Sequence, residues 1–398
     1  GSVTLTVSRS DTSGTASVLC STGGGTATAD VDYTSKTETL NFADGVANAT
    51  ITIPITSETT NEDDETFNVT LSSPTSSIGS ATVGAAHVVT ITNDDTLDIS
   101  FATASTSIAE NSTTQNITVN RSDGNGTATV KYVTSDGTAT AGEDYTAIDG
   151  TLSFSDGETS KTIAVTVFHD TKNENNETFN LTLLDPTSQY GVSQITGTNP
   201  HVITITNNDS STIGFNSATS SVSEGASPHQ IIVSRTDTNG TASVDYVTSD
   251  GTATAGVDYT GISSTQLDFA DGQADATISI IISGDSTNEN NETFTVTLSN
   301  PTSQYGSISL GTSTQTVTIT NDDSSVISFS TPTSSVTEST TTHVIPVTRS
   351  DTNGTATVVY STSDGTATTA DSDYTSKLSQ TLTFGDTVGT ANIEININ

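Results

Sequence analysis

Apolar residues in this chain recur at every second position over short runs, as in Thr162-Ile163-Ala164-Val165-Thr166-Val167 and Val202-Ile203-Thr204-Ile205-Thr206. Successive side chains of a strand point to opposite faces. Alternation rich in Val, Ile and Thr, bounded by Gly, Asn and Asp, therefore marks half-buried strands. No stretch carries a helical period of convincing length. Between residues 96 and 209 the pattern predicts seven strands, near 98–109, 115–121, 127–134, 150–155, 160–168, 177–184 and 200–206. The class is all-β, and seven short strands with turn residues between them suit a two-sheet sandwich.

The alternation itself repeats. Asp-Tyr-Thr begins at Asp32, Asp144, Asp258 and Asp373, at spacings of 112, 114 and 115 residues. Ser135-Asp136-Gly137-Thr138-Ala139-Thr140 precedes it, recurs at Ser249 and Ser363, and is degraded near Ser21. The four arginines, Arg9, Arg121, Arg235 and Arg349, occupy one repeat position, each with an Asp two residues on. Phe42, Phe154, Phe269 and Phe384 also recur in register. Self-similarity at a fixed period is the signature of a repeat array. The expected domains are 1–95, 96–209, 210–323 and 324–398, the first lacking its opening strand and the last its closing strands. Either the array continues beyond these residues or another chain supplies strands. From the Asp that closes one repeat to the first acid of the next is 15 residues at all three joins, Asp95 to Glu110, Asp209 to Glu224 and Asp323 to Glu338. A flexible linker tolerates drift in length, so a constant join predicts one repeated geometry and a rod-like arrangement.

Composition alters this picture in one respect. Only 31% of residues are hydrophobic and the net charge is -37, which alone would suit a disordered chain. The alternation overrides that reading. With 46 acids against nine Lys and Arg, the chain lacks the cations that nucleic acid or an anionic membrane surface requires. Two readings of the charge remain: a solvated acidic surface, or carboxylates gathered to hold hard cations. The single Cys20 stands where the other repeats have Tyr132, Tyr246 and Tyr360, which predicts a buried thiol. The five histidines lack metal-pair spacing, and His87 and His201 are expected to begin equivalent last strands. Asp-Gly and Asn-Gly steps read as hairpin turns.

Five acidic features recur in register. They are a Glu closing the opening strand, the Asp of Asp-Tyr-Thr, an acid-x-x-x-Glu pair before Glu-Thr-Phe, and an Asp pair at the end of the repeat. All fall at strand ends, and a sandwich gathers its loops at two poles, so these acids can converge at one of them. Clustered carboxylates repel one another, and Ca²⁺ relieves the repulsion by taking six to eight oxygens at about 2.3–2.6 Å. Solvated turn acids, with Asp and Asn serving turn geometry, are the other reading. Arg121 is expected to pair with its near neighbour Asp123. Every acid recurs in each repeat, whereas an active site usually occurs once, so no enzyme is expected.

Asp-Gly-Thr-Ala-x-x-Gly-x-Asp-Tyr, Phe-x-Asp-Gly, Asn-Glu-x-x-Glu-Thr-Phe and Asn-Asp-Asp, taken together, resemble the Calx-beta motif. That motif is known from the regulatory region of sodium–calcium exchangers and from long bacterial surface proteins. The resemblance implies an immunoglobulin-like sandwich that binds Ca²⁺ in loops at one end, near the junction with the next domain. Carried over by matching position, the second repeat would use Glu110, Asp144, Asp170, Glu174 and Asp209, and the third Glu224, Asp258, Asp285, Glu289, Asp322 and Asp323. The first keeps Asp32, Glu62, Asp94 and Asp95, with Glu58 in place of an Asp, and the fourth shows only Glu338 and Asp373. The exchanger domains carry more consecutive acids at the third feature, so fewer charges here imply weaker sites or fewer ions. The expected function is a calcium-stiffened extender or fibre segment of an extracellular, cell-surface adhesin or filament. Its partners would be adjacent repeats, and copies of itself in a filament. The alternative is a calcium-sensing regulatory module attached to a membrane protein.

Overall fold

The period-two runs become strands that bury alternate side chains on one face. In Ser160–Thr166, Ile163 and Val165 are buried while Thr162 and Ala164 face solvent. A computed structural model describes residues 1–398, and all its regular structure is β. The chain divides into two compact units, Gly1–Asp170 with Asn176–Asn208, and Thr171–Asn175 with Asp209–Asn398.

The first unit contains two sandwiches. The first is built from β1 (Ser2–Ser8), β2 (Ala16–Gly25), β3 (Thr37–Phe42), β4 (Asn48–Pro54), β5 (Glu65–Ser76) and β6 (His87–Ile91). Its sheets run β1-β4 and β3-β2-β5-β6. The second uses β7 (Thr96–Phe101), β8 (Ser105–Ala109), β9 (Thr114–Arg121), β10 (Ala128–Asp136), β11 (Asp149–Phe154) and β12 (Ser160–Thr166). It is completed by β13 (Glu177–Ser188), β14 (Val192–Ile195) and β15 (His201–Thr206). One sheet runs β12-β9-β7-β14 and the other β11-β10-β13-β15-β8.

In the second unit the third repeat has the same layout. Its strands are β16 (Ser210–Phe215), β17 (Thr219–Ser223), β18 (His229–Arg235), β19 (Ala242–Asp250), β20 (Thr265–Phe269), β21 (Asp275–Ile280), β22 (Glu292–Ser303), β23 (Ser307–Leu310) and β24 (Thr314–Thr320). They form sheets β21-β18-β16-β23 and β17-β24-β22-β19-β20. The fourth repeat has β25 (Ile327–Phe329), β26 (Thr342–Arg349), β27 (Ala356–Tyr360), β28 (Gln380–Phe384) and β29 (Thr390–Asn396), in sheets β25-β26-β29 and β27-β28.

Three details differ from the pattern in the sequence. The run 98–109 is two strands, because the chain turns after Phe101. β7 pairs in parallel with β14 in one sheet, and β8 in parallel with β15 in the other. β14 itself has no counterpart among the seven predicted runs. The Asn125-Gly126 and Asp156-Gly157 steps are turns with positive φ at the glycine, but not hairpins, because each carries the chain between sheets, from β9 to β10 and from β11 to β12.

The buried core lies between the sheets. In the second repeat it includes Leu97, Ile117, Val130, Phe154, Phe179 and Ile203. Cys20 is a buried free thiol, and His87 and His201 do begin equivalent strands. The Arg121–Asp123 pairing is corrected. The Arg121 guanidinium, 4% exposed, donates to the carbonyls of Glu158, Gly124 (2.8 Å), Ser155 (2.9 Å), Gly126 (3.1 Å) and Asn125 (3.3 Å), and lies over the Phe154 ring. Arg235 repeats this cage with Gln273, Thr238, Gly240 and Ala270 over Phe269. A planar fork with five N–H donors suits several inter-sheet carbonyls at once. Asp123 instead accepts the Asn125 N–H at 2.8 Å.

Candidate metal centre

Two aromatic residues position the acids. The Tyr of Asp-Tyr-Thr stacks on the Phe of Glu-Thr-Phe in the first three repeats: Tyr33 on Phe67 (4.1 Å between centroids), Tyr145 on Phe179 (3.9 Å) and Tyr259 on Phe294 (4.1 Å). Such a pair adds about 0.5–1.5 kcal/mol beyond its buried area. The Asp precedes its Tyr by one residue and the Glu precedes its Phe by two, so stacking the rings brings the two carboxylates together. The glycine of Ser-Asp-Gly-Thr allows close approach: a Cβ on Gly137 or Gly251 would overlap the carbonyl of Thr178 or Thr293. In the second and third repeats the Tyr hydroxyl also donates to the motif Asp, Tyr145 to Asp136 and Tyr259 to Asp250, each at 2.7 Å.

The result in the first repeat is Asp32, Glu62 and Glu65 with carboxylate oxygens within 4.8 Å of one another. Asp32 is held by the Thr28 N–H at 2.6 Å. In the third repeat Glu224, Asp285 and Glu289 form one such group, and Glu224, Asp322 and Asp323 another. Glu224 is buried and accepts the Asp285 N–H at 3.0 Å, while Asp322 accepts Ser223 Oγ at 2.6 Å. Asp258, fixed by the Thr254 N–H at 2.7 Å, lines one small polar cavity with Glu224, Glu289 and Glu292. In the second repeat Asp144 lies within the same 4.8 Å of Glu177, and Glu110 accepts the Asp170 N–H at 3.2 Å. Glu174 lies in Thr171–Asn175, and Asp209 immediately precedes β16; both belong to the second unit. In the fourth repeat Glu338 is exposed in the segment before β26, and Asp373 accepts the Thr368 N–H at 2.9 Å.

Two kinds of residue escape the sequence pattern. The Glu of Glu-Thr-Phe (Glu65, Glu177, Glu292) reads as the first residue of a strand, although its recurrence beside the acid-x-x-x-Glu pair is a usable signal. The Asp after each Arg, assigned to the Arg, is the other. Burial raises the Asp95 carboxyl above its ordinary range, the neighbouring Glu58 and Asp94 add to the rise, and the charge of Asp123 from the second repeat contributes last. Asp351 is its counterpart in the fourth repeat.

The electrostatics are those of a cluster without counter-charge. No Lys or Arg forms an ion pair with any of these acids in the first or third repeat. Glu65 is pushed up to about 7 by burial, by a hydrogen bond with Asp32 and by the charges of Asp32, Glu62 and Glu58. Glu292 reaches about 7 through burial, Asp258, Glu289 and Glu224. Burial and neighbouring acids raise Glu62 and Glu289 as well. Asp123, Asp323 and Asp351 each bury one carboxylate oxygen that has no hydrogen-bond donor. Such an oxygen is costly unless a proton or a cation meets it. An all-oxygen, multiply charged donor set with orphaned oxygens fits a hard divalent cation of the Ca²⁺ type. When bound, such an ion supplies positive charge to the cluster. The chain's own residues hold the carboxylates in place through the Thr28, Thr254 and Asp285 N–H groups.

A pH dependence follows. In the folded, metal-free chain Glu65 and Glu292 hold protons up to about pH 7, whereas unfolded they release them near the ordinary 4.5. The folded state binds more protons within that window, so stability falls as pH rises through it. Groups held below their usual range, such as Asp250 by the Tyr259 hydroxyl and the Ala255 N–H, lose their contribution only under more acidic conditions. In EDTA the melting temperature is expected to be higher near about pH 5 than near about pH 8, with saturating Ca²⁺ reversing the order. Scanning calorimetry across that range checks it.

No match was found among curated protein sequences. Among solved structures, the chain is similar to the calcium binding domain CBD12 of CALX1.1, at 22% identity over 55% of this chain and 98% of that one (TM-score 0.29). It is also similar to the apo-form Calx CBD1 domain, at 27% identity over 28% of this chain and 98% of that one (TM-score 0.27). Cadherin domains 1–4 of protocadherin gamma B7 match at 9% identity over 96% of this chain and 91% of theirs (TM-score 0.31). The Calx-beta domain model matches four times, over residues 1–95, 92–210, 206–323 and 320–398. Four tandem matches that span the whole length place the chain in the Calx-beta domain family.

Proposed function

We propose that the chain is a structural extender, a segment of an extracellular adhesin or surface filament whose junctions are stiffened by Ca²⁺. Calx-beta domains are calcium-binding modules of tandem arrays. The reading rests on the acids at the join: Asn125, whose N–H Asp123 accepts, donates its Nδ2 to Asn61 of the repeat before it, and there the charge of Asp123 reaches Asp95, beside Glu58 and Asp94. A cation neutralising that group is attracted to both repeats at once, while in its absence the repulsion acts across the joint. The acidic features recur in register across repeats, whereas an active site usually occurs once, so we assign no catalysis. The net charge of -37 disfavours nucleic acid, and no helix is long and apolar enough to cross a membrane. The partners in this reading are adjacent repeats, with copies of the chain in a filament.

Small-angle scattering and calorimetry in Ca²⁺ and in EDTA test it. The extender reading expects a higher melting temperature and a longer, stiffer particle in Ca²⁺. Unchanged melting and dimensions would refute it. A large change of shape at micromolar or lower Ca²⁺ would instead support a calcium-sensing module.

A further inference from the structure

Two asparagines are almost fully buried in loops of otherwise exposed polar residues. Asn61 and Asn173, each 1% exposed, occupy one repeat position, immediately before Glu62 and Glu174. Asn61 is a residue of the first repeat, yet its Nδ2 donates to the second repeat: to Tyr190 O at 2.7 Å, Ser188 Oγ at 3.0 Å and Val192 O at 3.4 Å. Its Oδ1 accepts Asn93 Nδ2 at 3.0 Å, and its carbonyl accepts Asn125 Nδ2 at 3.3 Å. In the second unit Asn173 repeats the pattern. Its Nδ2 donates to Ser307 O (2.8 Å) and Tyr305 O (3.0 Å), its Oδ1 accepts the Ser307 N–H (3.0 Å), and its own N–H donates to Asp237 (2.8 Å).

The receiving turn is shaped for this. Gly191 and Gly306, at φ +52° and +53°, lie so close that a Cβ on either would overlap the asparagine Oδ1. The equivalent Gly79 of the first repeat shares the positive φ, but a Cβ there would meet nothing within 4 Å. A buried amide with its donors and acceptor satisfied fixes geometry, because any displacement leaves polar groups unpaired.

We propose that the turn Ser188–Gly191, and likewise Ser303–Gly306, is a socket for the asparagine of the preceding loop, and that this latch joins consecutive repeats without any cation. It also anchors the residue next to Glu62 or Glu174. Ca²⁺ then tightens a joint that the latch has already registered. The inference does not depend on the calcium reading, because its test is made in EDTA.

The test uses the full chain with spin labels at Thr39→Cys and Thr151→Cys, on exposed positions of β3 and β11, leaving the buried Cys20 in place. In EDTA the parent protein is expected to give one narrow distance distribution. Asn61→Ala should lose it. Gly191→Asn should lose it too, since asparagine tolerates the left-handed backbone but its Cβ fills the socket. Gly79→Asn, which places the same substitution in an open turn, should leave the narrow peak intact. A parent distribution already as broad as that of Asn61→Ala would overturn the latch. So would a narrow peak that survives both Asn61→Ala and Gly191→Asn.

Discussion

Glu292→Gln is expected to raise the melting temperature of the metal-free protein by about a few degrees while weakening Ca²⁺ binding about tenfold or more. The two effects have one cause. Glu292 sits beside Asp258, Glu289 and Glu224, and its carboxyl is pushed up to about 7 by burial and by those acids. Glutamine keeps the shape, removes the repelling charge and offers an N–H to Asp258. It also removes a charged oxygen donor that a divalent cation requires. Glu65→Gln should behave alike in the first repeat, where Asp32 and Glu62 play the same parts. Paired melting and calcium titrations check both. A substitution that lowered metal-free stability would mean the acid acts as an ordinary structural hydrogen-bonding group.

The second large effect lies away from the carboxylates. Arg121→Ala should destabilise its repeat by about 3 kcal/mol or more, because it strips the donors from carbonyls lying between the two sheets. Water can reach some of the five, which keeps the loss below a simple sum of unpaired groups. Arg121→Lys should recover little, since an ammonium cannot serve carbonyls as far apart in sequence as Gly124, Gly126, Ser155 and Glu158. Asp123→Asn should be nearly neutral in EDTA, because the amide oxygen can still accept the Asn125 N–H. If Arg121 and Asp123 were a structural ion pair, the two substitutions would cost similar amounts. Urea denaturation of the single variants distinguishes these outcomes.

The contrast shows what is legible in the sequence. Period-two alternation locates most strands, because burial on one face leaves a direct mark on residue choice. The 112-, 114- and 115-residue spacings of Asp-Tyr-Thr reveal the array. The structure brings together the acids Asp32 with Glu62, and Glu224 with Asp285, Glu289, Asp322 and Asp323. Contacts set by three-dimensional neighbours are not readable in this way. Arg121 lies two residues from Asp123, but its guanidinium points between the sheets, where backbone carbonyls from distant segments converge. Glu65 and Glu292 open a strand, so alternation assigns them to it, yet the Tyr–Phe stack two residues further along turns them toward the Asp of the other loop. β14 escapes the pattern because Val192–Ile195 is short, polar and paired in parallel with a strand far away in sequence. Asn61 looks like any loop asparagine, since its partners belong to the next repeat.

Calorimetric titration of the metal-free chain with Ca²⁺, for the parent and for Glu224→Gln combined with Asp258→Asn, tests the central claim most directly. The account predicts saturable Ca²⁺ binding by the parent and the loss of at least one site in the double variant, with the remaining sites unchanged. Absence of saturable binding, or an identical isotherm for the double variant, would contradict it.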